Sequence, residues 1–512
     1  MVLIMDIVYV VAPVLLIAIV LAAVWLERWS VPVILIALGA GILFGSDVLE
    51  LWHFNDMELT NKVANLALVF ILYYGGFSTK RSDFKSVALP AAGLATWGVV
   101  LTAAATFGIL HGWLNWSVQK ALLLAVIISS TDAAATFSIL RRKPLPARLS
   151  STVQIESAAN DPMAILLTVA VVESITSAQQ SSWIMMVLLF IWKFAAGPFC
   201  GWFLAKIALW MFNRLKPQDR GHYYVLTLGI ISLIYGLTEM INASGMLAVF
   251  VAGYVMGNSS FVHKQGVTNF SSAISTVFNI GMFALMGLQV YPHQWKEIWL
   301  DGILLFVALS FLARPFAVWL GTMGMGLGWR NKLFIAWAGL RGSVPIVLAT
   351  YPAAYGLEIG SEVFNLVFFA VLLSIAVQGS TLGGLARVLK LTAPSRPMPL
   401  FDVELVTMAE SDFDLMVVDM PDPKGAIGPS IAELRLPAGS VIVLITRDQD
   451  IVVPKGSTHL QGWDRVTVLA HAKDHNTIRS VLLDAFSAAE KAECTPLDGN
   501  EAIKGPMLAS SE

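Results

Sequence analysis

The sequence has few charged residues and almost no cysteine. Only 13% of its 512 residues are Asp, Glu, Lys or Arg, about half the share found in soluble domains, whereas 56% are hydrophobic. This composition excludes a water-soluble fold for most of the chain. The two cysteines, Cys200 and Cys494, provide neither a disulfide framework nor the spacing of a metal site. The first residues lack the basic region and cleavage site of a signal peptide, so the first apolar run is expected to remain as a helix.

Several functional motifs are missing as well. The sequence has no His-Glu-x-x-His and no Gly-x-Ser-x-Gly, which argues against an intramembrane hydrolase. It has no segment like the Thr-Val-Gly-Tyr-Gly filter of potassium channels. The polar C-terminal part has no Gly-x-Gly-x-x-Gly after a predicted strand, so NAD binding is not predicted.

What the sequence does have is long apolar runs. A helix needs about 20 mainly apolar residues to cross the hydrocarbon core of a bilayer. Thirteen segments qualify, of which the second and the ninth are short. We therefore expect an all-α, polytopic membrane unit. The expected limits of the spans are 7–26, 31–45, 61–77, 87–110, 121–140, 150–172, 183–212, 222–238, 243–257, 270–290, 298–323, 332–353 and 361–386.

Basic residues are distributed unevenly among the loops. Loops after odd-numbered spans carry fourteen Lys and Arg residues, whereas loops after even-numbered spans carry only Lys62, Lys120 and Lys296. Short loops rich in Lys and Arg stay in the cytoplasm, so we expect the N-terminus outside and the C-terminus inside. Spans 1–6 and 8–13 then form two six-helix units of opposite orientation, an inverted repeat in which span 5 corresponds to span 12.

Five ionisable side chains lie within these spans. A charge near the bilayer centre costs at least about 2.5–3.5 kcal/mol on insertion scales, so it usually faces a partner or a water-filled cavity. Three acids and two bases leave one negative charge over, which predicts a site for one monovalent cation or one proton. The five residues are Asp132, Glu156, Asp161, Arg314 and Arg341.

Helical spacing separates two faces of span 6, because residues four apart share a face. Ser157 and Asp161 offer a hydroxyl and a carboxylate, which are hard oxygen ligands suited to an alkali cation. Glu156 and Asn160 lie one residue step away and are better suited to bonding an arginine. Pro162 is expected to bias Asp161 away from ideal helix and to free backbone groups nearby.

Two spans are expected to be interrupted. Residues 338–345 of span 12 contain Gly339, Gly342 and Pro345, and residues 127–135 of span 5 contain consecutive hydroxyls and small residues. Broken helices at corresponding positions of two repeats mark transport sites.

Structural interpretations remain open beside the functional ones. Asp132 could cap a half-helix without touching an ion. For Glu156 a salt bridge with Arg341 is favoured, whereas Arg314 is either a counter-charge or a gating element. Ser157 alone could simply bond its own backbone.

Three motifs resemble the monovalent cation/proton antiporter superfamily, in particular its NhaP-like branch of bacterial potassium/proton antiporters. They are Thr131-Asp132, the run 156–162 (Glu-Ser-Ala-Ala-Asn-Asp-Pro), and the run 339–342 (Gly-Leu-Arg-Gly). The resemblance implies that a cation and a proton compete for Asp161. It assigns the rest of the ion's coordination to Asp132, Ser157 and the Thr131 backbone, and a supporting network to Glu156, Asn160, Arg314 and Arg341.

The same resemblance implies an electroneutral exchanger, a homodimer with an elevator-like motion in the bacterial inner membrane. It implies transported K⁺ and H⁺, no cofactor and no nucleic acid partner. The alternatives are sodium/proton exchange and, at a greater distance, a ligand-gated cation channel.

The C-terminal part alternates apolar and polar residues, as in 440–447, which predicts strands in a small α/β domain. It resembles the C-terminal subdomain of regulators of potassium conductance, which implies a regulatory ligand such as a cyclic dinucleotide, with simple dimerisation as the alternative. The expected domains are a membrane unit 1–390, a linker 391–410, a regulatory domain 411–485 and a disordered tail 486–512. The resemblance rests on Gly428, Leu434, Leu436, Pro437, Gly439, Arg447, Pro454, Gly456, Leu460 and Asp464.

Overall fold

The computed structural model divides the chain into two compact units, Met1–Ser395 and Arg396–Glu512. The first unit is helical and the second is built around a small sheet. The predicted linker lies almost wholly outside the described residues. These are 2–26, 33–45, 47–52, 56–132, 136, 145–176, 183–215, 219–392, 412–421, 427–447 and 450–493.

Among its described residues, the first unit is built of α-helices, and three pairs of them are joined end to end through π-helical turns at Leu94–Gly98, Ala308–Ala313 and Ser374–Gly379. The helices are α1 (Val2–Leu26), α2 (Val33–Phe44), α3 (Met57–Ser78), α4 (Arg81–Gly93), α5 (Val99–Gly112), α6 (Val118–Ile127), α7 (Ala147–Thr176), α8 (Trp183–Arg214), α9 (Gly221–Met240), α10 (Gly245–Gly257), α11 (Lys264–Leu288), α12 (Trp295–Val307), α13 (Arg314–Gly321), α14 (Trp329–Ala338), α15 (Ser343–Ala354), α16 (Gly360–Leu373) and α17 (Ser380–Val388).

Seven of the described helical stretches are long and apolar enough to cross a membrane, and the bent pair α14–α15 makes an eighth candidate. Shorter apolar helices are present at Val10–Leu26, Val33–Phe44, Val118–Ile127 and Gly245–Gly257. A helical membrane unit with many spans is therefore confirmed, and the number thirteen remains a prediction.

The short helix α2 is held by close packing against α11. A Cβ atom at Gly41 would lie 2.8 Å from the Cα of Gly287 and would overlap the carbonyl oxygen of Ala284. The two backbones therefore approach too closely for any side chain at this point. Small residues permit this kind of contact between membrane helices. Here it places α11 directly beside α2.

Within its described residues, the second unit contains six strands and one α-helix. The main sheet is antiparallel with the order β1–β6–β3–β4, and β2 pairs with β5. The alternating run 440–447 is strand β3, as predicted. The elements are β1 (Phe413–Asp419), β2 (Ile427–Ser430), β3 (Val441–Arg447), β4 (Asp450–Val452), β5 (His459–Gln461), β6 (Arg465–His471) and α18 (His475–Glu493).

One face of this sheet forms a core with α18. Ile445, Val466 and Val468 are fully buried there, together with Ile478 and Leu482 of the helix. The predicted start of the disordered tail at residue 486 is too early, because α18 continues to Glu493. Its apolar face is anchored on the sheet, so the helix extends beyond the expected domain limit; residues 494–512 lie outside the described part of the chain.

Candidate functional site

Two helices of the membrane unit are interrupted where the sequence predicts it. Helix α6 ends at Ile127, and the chain then runs without helix through Asp132. Helices α14 and α15 are separated by residues 339–342 and are bent by 48°. The interruption of span 12 is therefore confirmed, and that of span 5 is seen up to Asp132, beyond which 133–135 lie outside the described residues.

The two interruptions cross each other in close contact. The backbone N–H of Asp132 donates to the carbonyl oxygen of Leu340 at 2.7 Å, and the Thr136 hydroxyl donates to the carbonyl oxygen of Ala338 at 2.9 Å. A Cβ atom at Gly342 would overlap the Asp132 carboxylate. Glycine is therefore required at 342 because the second interrupted chain passes directly over it.

Arg341 stabilises the broken end of α6. Its Nη1 donates to the carbonyl oxygens of Ser129 at 2.8 Å and Ser130 at 2.5 Å, and its backbone N–H donates to the Ser374 hydroxyl at 3.1 Å. Carbonyls at a helix end lack helical partners and carry partial negative charge. The Arg341 guanidinium, which is 1% exposed, supplies both the hydrogen-bond donors and the opposite charge.

The predicted salt bridge between Glu156 and Arg341 is wrong, because Glu156 pairs with Arg314. Arg314 Nη2 lies 2.6 Å from Glu156 Oε1, and both side chains are only 1% exposed. Asn160 Nδ2 also donates to the same carboxylate oxygen at 3.2 Å. Arg314 stands on the helix that follows a π-helical turn, which brings it across to α7. Among its two predicted roles, this geometry favours the counter-charge.

Thr131, Ser157 and Asn160 form a buried set of hydrogen bonds between the broken end of α6 and helix α7. Asn160 Nδ2 donates to Thr131 Oγ1 at 2.7 Å, and Asn160 Oδ1 accepts from the Thr131 N–H at 3.3 Å. The Thr131 and Ser157 hydroxyl oxygens are 2.9 Å apart. The amide of Asn160 thus holds the non-helical chain in place, and the two hydroxyls meet beside it.

A cavity of about 520 Å³ divides the predicted site residues into two groups. Thr131, Asp132, Ser157 and Asp161 all line it. The four members of the supporting network are absent from its lining. Carboxylate and hydroxyl oxygens therefore face the open space, while the charged network lies behind them, at Glu156, Asn160, Arg314 and Arg341.

The cavity extends towards the end of the unit where α3 ends beside Lys80. Ser78 and Gln154 line it and also line a second cavity of about 260 Å³ that includes the exposed Lys80. We call this the basic end, and we call the opposite end, where α3 begins beside Asp56 and Glu58, the acidic end. The cavity thus extends from the candidate site towards the basic end.

Asp161 stands within a continuous helix. Helix α7 runs through Asp161 and Pro162 without interruption, so the expectation that Pro162 displaces Asp161 from the helix is wrong. Proline has no N–H, however, so it leaves the carbonyl of Ala158 without its helical donor. Ala158 lines the same cavity. Within the described residues, Asp161 Oδ1 is buried without a hydrogen-bond partner.

Part of the cavity lining was not predicted from the sequence. Ser275, Thr276 and Asn279 of α11 line it, as does Ser343 at the start of α15. Ser275 and Asn279 are four residues apart and share a helix face, and this spacing was the available signal. Neutral polar residues in a span without charged residues do not by themselves indicate an ion site.

The donor set suits a monovalent cation rather than a bound transition metal. Two carboxylates and two hydroxyls are hard oxygen ligands. Within the described part of the chain no group of three or more His, Cys, Asp or Glu could hold a metal ion. These oxygens could therefore receive a monovalent cation, and a proton on the Asp161 carboxylate would neutralise the same charge.

Comparison with known proteins gives matches to both units of the chain. Residues 14–388 match the family model described as "Sodium/hydrogen exchanger, transmembrane", and residues 415–483 match the TrkA-C domain. The chain is 34% identical over 473 residues to the K(+)/H(+) antiporter NhaP2 of Shewanella sp. (strain ANA-3), covering 91% of this chain and 81% of that protein. It is 30% identical over 468 residues to the K(+)/H(+) antiporter NhaP of Alkalimonas amylolytica, covering 90% and 81%.

A solved structure shares the fold of the membrane unit. The sodium proton antiporter MjNhaP1 from Methanocaldococcus jannaschii at pH 8 has a TM-score of 0.65 and 23% identity, covering 74% of this chain and 98% of that one. The family match extends over most of the chain and includes both interrupted helices and the cavity. The chain therefore belongs to the sodium/hydrogen exchanger family of membrane antiporters, and it carries a TrkA-C domain after its membrane unit.

Proposed function

We propose that the protein exchanges K⁺ for H⁺ across a bacterial inner membrane, one for one and without net charge movement. The observation that carries this proposal is the cavity that gathers Thr131, Asp132, Ser157 and Asp161 and leaves the charged network behind it. Potassium is chosen because relatives of 34% and 30% identity over about nine-tenths of this chain are named K(+)/H(+) antiporters.

Exchange follows from competition for one carboxylate. A bare carboxylate in the membrane interior costs at least about 2.5–3.5 kcal/mol, so the site crosses the barrier readily only when Asp161 holds a cation or a proton. A cation and a proton cannot both neutralise the same charge. Each movement of the loaded site therefore carries one or the other, which makes the exchange obligatory.

The remaining site residues have separate tasks. Asp132, Ser157 and Thr131 supply oxygen ligands to the cation that sits at Asp161. Arg341 holds the carbonyls of the broken α6 end, and the Glu156–Arg314 pair fixes α7 against α13. Since this network is buried and bonded, it keeps the ligand positions fixed while the ion changes.

Sodium is the second candidate cation, because the matching family model is named for sodium/hydrogen exchangers. Hydroxyls and carboxylates bind either alkali cation. The two candidates differ in ion size alone, so direct competition decides between them.

We also propose the architecture around the site. It has thirteen spans in two inverted six-helix repeats, supported by the crossing of the interrupted spans 5 and 12. The basic end faces the cytoplasm, as the loop charges favour, which puts the N-terminus outside and the C-terminus inside. The protein is a homodimer, and residues 411–485, after a linker 391–410, form a regulatory domain that binds a small ligand such as a cyclic dinucleotide.

The test is proton flux in vesicles containing the purified protein. With a pH gradient imposed, addition of K⁺ is expected to release protons without changing the membrane potential, and Na⁺, Li⁺ and Rb⁺ are then tested in turn. Asp161→Asn is expected to abolish the flux while the protein still inserts. Glu358→Gln, the same chemical change at an exposed loop residue, is the matched control. Normal flux in Asp161→Asn refutes the proposal, and a stronger response to Na⁺ replaces potassium by sodium.

A further inference from the structure

Helices α3 and α15 contact each other at two levels. At the first level both line the cavity, α3 with Ile71 and Leu72 and α15 with Val344 and Pro345. At the second level, towards the acidic end, they are joined by side-chain hydrogen bonds. The two levels belong to the same helix pair, so whatever separates these helices affects both.

The second level is a chain of three hydrogen bonds. Asn61 Nδ2 donates to Thr350 Oγ1 at 2.9 Å, Tyr351 OH donates to Asn65 Oδ1 at 2.5 Å, and Asn65 Nδ2 donates to Asn61 Oδ1 at 2.9 Å. Asn61, Thr350 and Tyr351 are all less than 10% exposed. We call these four side chains the polar seal. None of them lines the cavity.

The polar seal lies beyond the ion site on the way to the acidic end. Tyr351 follows the cavity-lining Val344 by seven residues, which is about 10 Å along a helix. Asn65 precedes the cavity-lining Leu72 by the same interval. Leu68 of α3 lies between seal and cavity and is fully buried. The cavity thus extends towards the basic end, while the buried Leu68 and the polar seal lie between it and the acidic end.

The chemistry of the polar seal suits a contact that must open. A buried hydrogen bond contributes only about 1 kcal/mol net, because water replaces the lost partner when the groups are exposed. Amides and hydroxyls can therefore separate into a water-filled path at little cost. Beyond the seal, Tyr351 stacks against Tyr355, which is 48% exposed at the acidic end. Opening of the polar seal together with the apolar contact at Leu68 would connect the ion site with solvent there.

We propose that the polar seal is the gate that closes the acidic end of the cation pathway while the site faces the basic end. Its hydrogen bonds must break before the site can release its ion to the other side. This inference rests on the proposed exchange and on the proposed orientation, in which the acidic end is the outer one.

The test measures access to the layer behind the seal and does not require transport. In a background with Cys200→Ser and Cys494→Ser, a reporter Leu68→Cys is labelled with a membrane-impermeant maleimide applied from the acidic end. Tyr351→Phe removes one hydroxyl and keeps the ring, so we expect labelling about five times faster. Adding Asn65→Ala is expected to accelerate it further.

Two controls keep the result interpretable. Tyr355→Phe makes the same change four residues further on, just past the end of α15, and is expected to leave labelling unchanged. Thr276→Cys, which lines the cavity, reports from the basic end that the fold is intact, and its labelling is expected to slow when the seal is weakened. Unchanged labelling of Leu68→Cys in the double variant, or equal acceleration by Tyr355→Phe, overturns the gate. If the parent protein shows no cation-dependent proton flux, the exchange function is overturned. The labelling result remains valid in that case, because it does not depend on transport.

Discussion

The buried ionisable residues of the membrane unit form two groups that differ in what they face. Asp132 and Asp161 line a cavity of about 520 Å³, whereas Glu156, Arg314 and Arg341 are about 1% exposed and bonded to protein. The first group is therefore expected to bind and release ions, and the second to make permanent contacts within the protein. Substitutions should therefore change ion binding in the first group and stability in the second.

The largest expected effect is on stability, in the second group. Arg314→Met leaves the Glu156 carboxylate buried without its charged partner, and breaking a buried pair from one side costs about 3–5 kcal/mol. The midpoint of thermal unfolding in detergent should fall sharply. Combining Arg314→Met with Glu156→Gln removes the stranded charge and should recover much of the loss. If the double variant loses as much stability as the two single variants together, Glu156 and Arg314 are not coupled. The separation of the ionisable residues into an ion-binding and a structural group would then be contradicted.

The next largest effect is expected where the two interrupted helices cross. Gly342→Ala forces a Cβ atom into the Asp132 carboxylate, so the ligand positions shift. We expect vesicle exchange to fall about a hundredfold, the scale that a displacement of about 1 Å costs at a functional site. Gly384→Ala is the control, because a Cβ atom there meets nothing within 4 Å. Equal activity of the two variants would show that the crossing does not position the site.

Asp132→Asn sharpens the comparison by deciding whether Asp132 binds the ion or only shapes the chain end. As an ion ligand, its negative charge strengthens cation binding, so the K⁺ concentration for half-maximal exchange should rise at least about tenfold. The thermal midpoint should change little. A lowered midpoint with unchanged K⁺ dependence would place Asp132 with the structural group.

Ser157→Ala should have the smallest effect. It removes one neutral oxygen at the cavity, so we expect the half-maximal K⁺ concentration to rise about fivefold, the equivalent of one ordinary polar contact. Ser174→Ala on the same helix removes a hydroxyl that bonds its own backbone at Val171 and serves as the control. Identical K⁺ dependence in the two variants would return Ser157 to a packing role.

Site residues that stand out as polar groups within apolar spans could be predicted from the sequence. Asp132, Ser157 and Asp161 were identifiable because carboxylates and hydroxyls are costly in apolar spans, and helical spacing placed Ser157 with Asp161 on one face. The structure brings these residues together at one cavity. The glycines at 339 and 342 indicated the interruption for the same local reason, since glycine weakens the interior of a helix.

Pairing between distant segments was not predictable in the same way. Both arginines suited Glu156 by charge, and only the tertiary fold places Arg314 against it while Arg341 lies over the Ser129 and Ser130 carbonyls. Asn61 and Thr350 gave no signal for a related reason. Each is a single neutral polar residue, and its role depends on a partner almost 300 positions away.

The most direct test of the account counts protons released when the cation binds. Purified protein in weakly buffered detergent solution should release about one proton per chain when saturating K⁺ is added at a pH at least one unit below the pKa of the Asp161 carboxyl, because cation and proton compete for that group. The apparent Kd for K⁺ should then rise about tenfold for each pH unit below that pKa. The Asp161→Asn variant should release none. Binding of K⁺ without proton release, with a Kd independent of pH, would contradict competition at Asp161.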